Sequence, residues 1–297
     1  MSSRRWTHQT TAKIACQLQR LGIRVGPRTV ARLLDQLRFS LRLNCKKIAH
    51  GNRAIRDQQF RHLTRLRRRF CRQGNPIISV DAKKRELIGD FKNPGRKWER
   101  VPTPVNDHDF RSLAKGIALP YGIYDPQANR GSVFVGVSHE TSAFAVTSIS
   151  RWWRWEGRRR YPHAHHLLIL ADTGGSNSAS RGAWKDQIQH QLCDQLGLTV
   201  TVAHYPTGAS KYNPVERRLF CEIAKRWAAE PLTDYPKTLH LIRTTTTTTG
   251  LRVRAYLDTQ HYPLQVKPSP QRLRELRITR HTSLPKWNYT IAPSNAK

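Results

Sequence analysis

The sequence predicts an α/β fold on a mixed sheet, preceded by a basic helical segment, and three observations carry that reading. The short apolar runs IISV (77–80), HLLIL (166–170) and LTVTV (198–202) read as strands covered on both faces. Amphipathic stretches of helical period stand between and after the last two runs. Positive charge is concentrated ahead of the first: residues 1–75 carry 19 Lys/Arg against 2 Asp/Glu, a net +17 of the chain's +32.

Residues 9–40 read as two short helices and a tight turn. Ala12, Ala15, Leu18 and Leu21 make one apolar stripe, closed by Gly22. Gly26 and Pro27 suit the N-cap and first position of the next helix. That helix turns Val30, Leu33, Leu34 and Leu37 inward and leaves Arg28, Thr29, Arg32 and Gln36 outward. The pattern fits a helix-turn-helix whose second helix enters a DNA groove, although two helices of an ordinary bundle read alike.

Residues 53–73 form a basic helix bearing Ile55, Phe60, Leu63, Leu66 and Phe70, with Arg65 and Arg68 among its cations. Gly74-Asn75-Pro76 breaks the chain, so the expected division is a DNA-binding region at 1–52, a linker helix at 53–75, a catalytic core at 76–235 and a C-terminal region at 236–297. Within the core, strands are expected at IISV, around ELIGDF and around SVFVGVSH, with a polar, Pro-rich insertion over residues 93–128. There follow a helix from about Thr141 to Trp155, the strand HLLILAD, a helix near Ala183–Leu196, the strand LTVTVAHY and a helix opened by Asn213-Pro214. Thr244–Thr249 read as an ordered strand or turn, because LHLIR and LRVRAYL on either side are patterned.

Composition narrows the function class. At 297 residues and 38% hydrophobic content, with eight tryptophans, the chain folds around a sizeable core. A net charge of +32 points to a polyanionic partner, since Lys and Arg release counterions when they neutralise phosphates. No stretch approaches a membrane-spanning length and no signal peptide is evident, so a cytoplasmic, nucleoid-associated protein is expected. Cys16, Cys45, Cys71, Cys193 and Cys221 show no paired spacing and read as reduced thiols, mostly small core residues. His163, His165 and His166 lack partners at zinc-site spacing and read as a solvated loop or strand entry.

Three acids stand out against this charge: Asp81 in ISVDAKK, Asp172 in LILADTGGSN and Glu216 in KYNPVERRLF. Asp81 and Asp172 sit at the carboxyl ends of strands, where open α/β sheets gather functional groups; either could equally turn the chain. Asn213 and Glu216 make a near capping box, which would by itself account for the glutamate. Helical phase adds to this, for Glu216, Phe220, Ile223 and Trp227 share one stripe, and a carboxylate there needs a partner. If the three converge, their hard oxygens suit Mg²⁺ or Mn²⁺, and two ions could serve an in-line displacement at phosphorus. No P-loop, dinucleotide fingerprint or zinc-hydrolase helix motif competes.

These segments, with IALPYGIYDPQANRGSVFVGVSHETSAFAVTSISRWWR, HYPTGASKYNPVERRLF, TTTTTTGLRVRAYLDT and WNYTI, resemble the Rhodopirellula-type DDE transposases of bacterial insertion sequences over roughly residues 20–291. The resemblance implies a retroviral-integrase-type, RNase H-like core in which Asp81, Asp172 and Glu216 are the catalytic, metal-holding triad. It implies Mg²⁺ or Mn²⁺ as a pair of ions, double-stranded DNA as partner (terminal inverted repeats and target), and a dimer or higher oligomer on that DNA. Arg28, Thr29, Arg32, Arg65, Arg68, Lys211 and Arg217 are the expected DNA-contacting side chains, and RWWRWEGRRR is expected to add phosphate contacts. Relatives usually read Gly at Thr173, Trp at Tyr212 and His at Arg217, and generally carry more N-terminal sequence. A catalytically weak or truncated copy acting as a DNA-binding regulator and a nuclease of the same fold are the alternative readings.

Overall fold

The computed structural model describes residues 7–42 and 52–294, in two compact units, Met1–Ala49 and His50–Lys297. Cys45 lies outside the described residues. In the first unit, α1 (Thr11–Arg20) starts where Thr10 Oγ1 accepts from Lys13 N, and α2 (Pro27–Gln36) starts at Gly26-Pro27 as expected. Gly22 leaves α1 at φ +84°, a conformation that costs glycine little. The inward stripes are thinner than their periodicity suggests. Ala15 and Val30 are buried, but Ala12 is exposed, as are Leu21, Leu33 and Leu37 (the last at 69%). Two ten-residue helices enclose little beyond the residues at their crossing, so the rest of each apolar face stays open.

In the second unit a single mixed sheet forms from β1 (Ile77–Ala82), β2 (Glu86–Ile88), β3 (Gly116–Asp125), β4 (Arg130–Gly136), β5 (His166–Ala171), β6 (Thr199–His204), β7 (Arg252–Asp258), β8 (Ile278–Arg280) and β9 (Asn288–Ile291), in the order β7-β4-β3-β1-β5-β6-β9-β8. β1, β3 and β4 meander antiparallel, while β5 and β6 run parallel to β1. This is the RNase H-like arrangement. The second long strand of the meander is β3, which lies inside the stretch expected to be an insertion. ELIGDF supplies only the short β2, which pairs with β3 beyond the end of β1.

Pro120 explains the difference. A proline inside an apparent run argues against a central strand, because it cannot donate to the ladder. Here its carbonyl accepts from Lys83 N, in the gap between β1 and β2. Backbone N and C=O of one residue face the same side of an antiparallel strand, so the missing N–H falls where the ladder is already interrupted.

Helices cover both faces. α4 (Ser142–Trp152) runs on through a π turn (Trp153–Gly157) into the single turn α5 (Arg158–Arg160); with α6 (Gly182–Ile188) and its own π turn (Gln189–Asp194) it packs Phe144, Ile149, Trp152, Trp184 and Ile188 on Ile78, Val80, Tyr121 and Ile169. The opposite face carries α3 (Arg53–Arg72), whose Leu63, Leu66 and Phe70 pack on Ile77, Leu168 and Leu170. The basic helix is therefore a layer packed on the sheet of the second unit. Beside it, Val215, Leu219, Phe220 and Ile223, together with α8 (Tyr235–Arg243), cover Tyr124, Val133 and Val135; α7 (Cys221–Arg226) continues from Phe220. The C-terminal region belongs to the same sheet, with β7 at one edge and β8 and β9 at the other, β8 following the one-turn α9 (Pro270–Arg274).

The threonine run is ordered: Thr246 bridges to Arg252 and Gly250 closes the turn into β7. His166 opens β5 exposed to solvent, as expected of that histidine cluster. Of the four described cysteines only Cys193 is a buried core residue; Cys16 and Cys71 are exposed and Cys221 lies between, which corrects the expectation for most of them. Among the described residues no helix is long and apolar enough to cross a membrane.

Candidate active site

Strand parity decides where the acids point. Ile78 and Val80 enter the cluster under α4, so Ser79 and Asp81 face the opposite side, toward α3 and the helix that carries Glu216. In the parallel pair β1–β5, Val80 stands opposite Ala171, which brings Asp81 and Asp172 to neighbouring positions at the carboxyl edge of the sheet. Strands so paired lie about 5 Å apart.

Glu216 is delivered by a staple. Ser79 Oγ accepts from Val215 N at 2.9 Å and donates in turn to Asn213 Oδ1. A strand hydroxyl thus satisfies one of the free donors at the start of the Glu216 helix. Asn213 is fully buried, and its side-chain amide donates to Val80 O and to Asp172 Oδ1, each at 3.3 Å. The expected capping box does not form: Asn213 commits its side chain to β1 and Asp172. Glu216 begins a π turn (Glu216–Phe220) and stands half-buried above Phe220, Ile223 and Trp227, all buried as the stripe foretold. Glu222 is partly exposed and paired with Lys225 at 2.8 Å.

Two glycines let this helix press against the sheet. Gly122 stands opposite Asp81 in the β1–β3 register, and a Cβ there would come within 2.5 Å of the Phe220 ring. Gly131, two strands from β1, receives Leu219 in the same way.

Electrostatics treat the acids as a set. Burial first, then the charges of Asp172, Glu216 and Glu140, push Asp81 up to about 8, against a smaller opposing bond from Ala82 N. Burial raises Asp172 while Asn213 offsets part of the shift. Glu216 is raised by burial and by Asp172, and Lys83 works the other way. The direction common to all three is upward, and its cause is negative charge gathered in a partly dry site. Tyr121, buried beside Asp81, is held well above its ordinary value by burial and by the charges of Asp81 and Glu140.

As the side chains stand, no three His, Cys, Asp or Glu among the described residues close around one point. Asp81 Oδ1 accepts from Ala82 N at 2.8 Å and Asp172 from Asn213, so these carboxylates are turned to protein donors. The donor chemistry nonetheless suits a hard divalent cation: all-oxygen ligands, and mutual repulsion that a cation would relieve.

Five further residues of the site lie beyond what sequence reasoning reached. Asn213 reads from sequence as a cap, and Ser79 as one more position inside a strand; a hydroxyl or amide two or three residues before an acid is the available signal. Lys83 lies 4.6 Å from the Trp227 ring and pairs with Glu86 at 2.6 Å, close enough to Glu216 to act on its charge. Glu140 accepts from Ser176 N at 3.1 Å and so ties down the loop after Asp172. His204 lies beneath that loop, donating from Nδ1 to Asp172 O at 2.9 Å; burial holds its pKa down to about 4.

The expected DNA-contacting residues fall in several places. Arg28 and Arg32 are exposed on α2 and Thr29 is half-buried; Arg65 and Arg68 are exposed on α3, on the side away from the sheet. Lys211 and Arg217 are exposed and flank Glu216 in sequence, with the Lys211 ammonium 5.2 Å from the Tyr212 ring. The RWWRWEGRRR segment is partly committed elsewhere: Arg151 pairs with Asp258 at 2.8 Å and Arg160 with Asp125 at 2.9 Å, both carboxylates buried. Trp152 and Trp153 are core residues, and Trp155 is 43% exposed.

Among solved structures, the chain is similar to the Mos1 transposase paired-end complex with left transposon end, at 17% identity and a TM-score of 0.47, covering 77% of this chain and 64% of that one. It is also similar to the Mos1 mariner paired end complex with Mn, at 16% identity and a TM-score of 0.45, with coverage of 77% and 64%. The chain therefore spans 64% of the length of these solved chains. No curated protein matches it. The family model of the Rhodopirellula transposase DDE domain matches residues 1–293, almost the whole chain, and the protein belongs to that family.

Proposed function

We propose that this protein is a DNA transposase that cleaves strands at the ends of its element and joins them to target DNA. The observation that carries the reading is that Asp81, Asp172 and Glu216 lie near enough at one edge of an RNase H-like sheet for their charges to act on one another, in a chain of formal charge +32. Asp81, Asp172 and Glu216 would hold Mg²⁺ or Mn²⁺, as a pair of ions in the fuller form of the proposal. Bound there, divalent metal supplies Lewis-acid stabilisation of charge on the phosphoryl oxygens and lowers the pKa of a bound water.

The chain's own residues do the remaining work. Asn213 and Ser79 fix the distance between the Glu216 helix and β1, so the third acid is positioned before DNA arrives. Lys83 offsets part of the upward shift that burial and Asp172 impose on Glu216. Lys211 and Arg217 border the site as point and forked donors for backbone phosphates, and Arg65 and Arg68 extend the cationic surface along α3. Arg28, Thr29 and Arg32 are placed on the helix that would read the terminal repeats. Bringing two ends together calls for at least two protomers on DNA, which is the oligomeric state proposed.

The test uses DNA from the flanks of the gene, with Mg²⁺ or chelator. A pre-cut end bearing a free 3′-hydroxyl should be joined to a second duplex only with the metal. Cutting without joining would leave a nuclease of the same fold. Sequence-specific binding indifferent to chelator, with neither cutting nor joining, would leave a DNA-binding regulator.

A further inference from the structure

Beside the three acids lies a pocket of about 440 Å³ lined by Arg85, Arg111, Arg181, His139, Glu140 and Ser176, among others. It adjoins the catalytic edge through two of its walls. Glu140 lies close enough to Asp81 to raise it, and Ser176 belongs to the loop that follows Asp172. Arg85 comes from the segment just after Ala82, Arg111 from the loop before β3, and Arg181 from the start of α6. Three separate chain segments thus bring one guanidinium each to a single cavity.

None of these three side chains has a carboxylate partner among the described residues, in contrast to Arg151, Arg160 and Arg272, which are paired with Asp258, Asp125 and Asp186. The wall is also unsatisfied. Ser176 is 2% exposed and its Oγ has no hydrogen-bond partner among the described residues, and His139 Nδ1 is buried without one there. A buried hydroxyl left unpaired is costly, so an oxygen-rich ligand that pairs it would be stabilised by ordering here. Glu140, the one acid on the wall, is already engaged with Ser176 N. A second cavity of about 380 Å³ shares Arg111, Ser138 and His139 and continues the groove to Thr259 and His261.

We propose that the Arg85–Arg111–Arg181 pocket is a phosphate subsite that holds a backbone phosphate and sugar of the DNA strand next to the one being cut or joined. The inference rests on the transposase reading and adds to it the residues that set the strand's path. Arginine forks suit phosphate oxygens, and the volume fits a sugar-phosphate unit rather than a duplex.

The experiment is a charge-removal scan. Single methylphosphonates are walked along the cleaved substrate, and binding and joining are measured for the wild type, Arg111→Gln and Arg181→Gln. All three arginines are exposed, so these variants should keep the wild-type melting temperature. In the wild type one position should lose roughly tenfold in binding, and in the variants that same position should lose nothing further. An unchanged interference pattern in both variants would overturn the proposal while leaving transposition intact. A variant effect confined to inhibition by added inorganic phosphate would assign the pocket to a free anion and overturn it as well. If the wild type neither binds nor cuts DNA, the functional reading itself fails, and the subsite with it.

Discussion

Asn213 donates to Asp172 Oδ1 at 3.3 Å while its own Oδ1 accepts from Ser79 Oγ, so one buried amide joins the second acid, the first strand and the start of the Glu216 helix. Asn213→Ala would leave Ser79 Oγ and Val80 O short of a partner. Each unpaired buried group costs about 1–3 kcal/mol. The expected outcome is a lower melting temperature together with weaker Mg²⁺-dependent cleavage. Equal melting and equal cleavage would show that the staple does not position the site.

Gly122 is a position where fold and site meet. Gly122→Ala would drive a methyl against Phe220, and overpacking of this kind costs about 1–3 kcal/mol. The helix that carries Glu216 must give way, so cleavage should fall further than stability alone explains. Combining the change with Phe220→Leu, which removes the opposing ring, should restore part of both.

Stability should depend on pH with a defined sign. Asp81 is held up at about 8 in the fold against 3.8 ordinarily, so between those values the folded chain keeps a proton the unfolded chain has lost. Its contribution falls as pH rises toward 8. His62 on α3 and His204, both held down to about 4 from 6.5 chiefly by burial, act in the opposite sense below 6.5, where the unfolded chain binds more protons. Above 6.5 the carboxylates act without that opposition. In chelator, the wild-type melting temperature should drop from pH 6.5 to pH 8, and Asp81→Asn should flatten that slope. Parallel slopes would remove the coupling of the acids.

The exposed face of α3 should contribute affinity without sequence choice. Replacing Arg65 and Arg68 by Ala should weaken binding to all duplexes alike and reduce the salt slope by about 0.9 for each phosphate no longer neutralised. Cleavage at saturating DNA should hold. A change in sequence preference would place these side chains on base edges instead.

The legible part of this molecule was what hydrophobic pattern controls. Runs such as HLLIL announced strands buried on both faces, and the stripe from Glu216 to Trp227 announced which way the third acid points. What stayed hidden depended on partners distant in sequence. β3 was masked by Pro120, whose missing donor does no harm only because β1 and β2 part beside it. Asn213 looked like a helix cap because the competing partner, Ser79, comes from a strand 134 residues earlier. Leu33 on α2 and Leu37 at its C-cap continue the helical period but have too little structure around them to be covered.

The central claim is that Asp81, Asp172 and Glu216 act together on DNA phosphodiesters. Its most direct test is strand cleavage and joining by Asp172→Asn in Mg²⁺, on DNA from the element's own ends. Losing one ligand removes several kcal/mol of transition-state stabilisation, so the rate should fall by more than about 100-fold while DNA binding persists. Cleavage and joining at the wild-type rate would contradict the account.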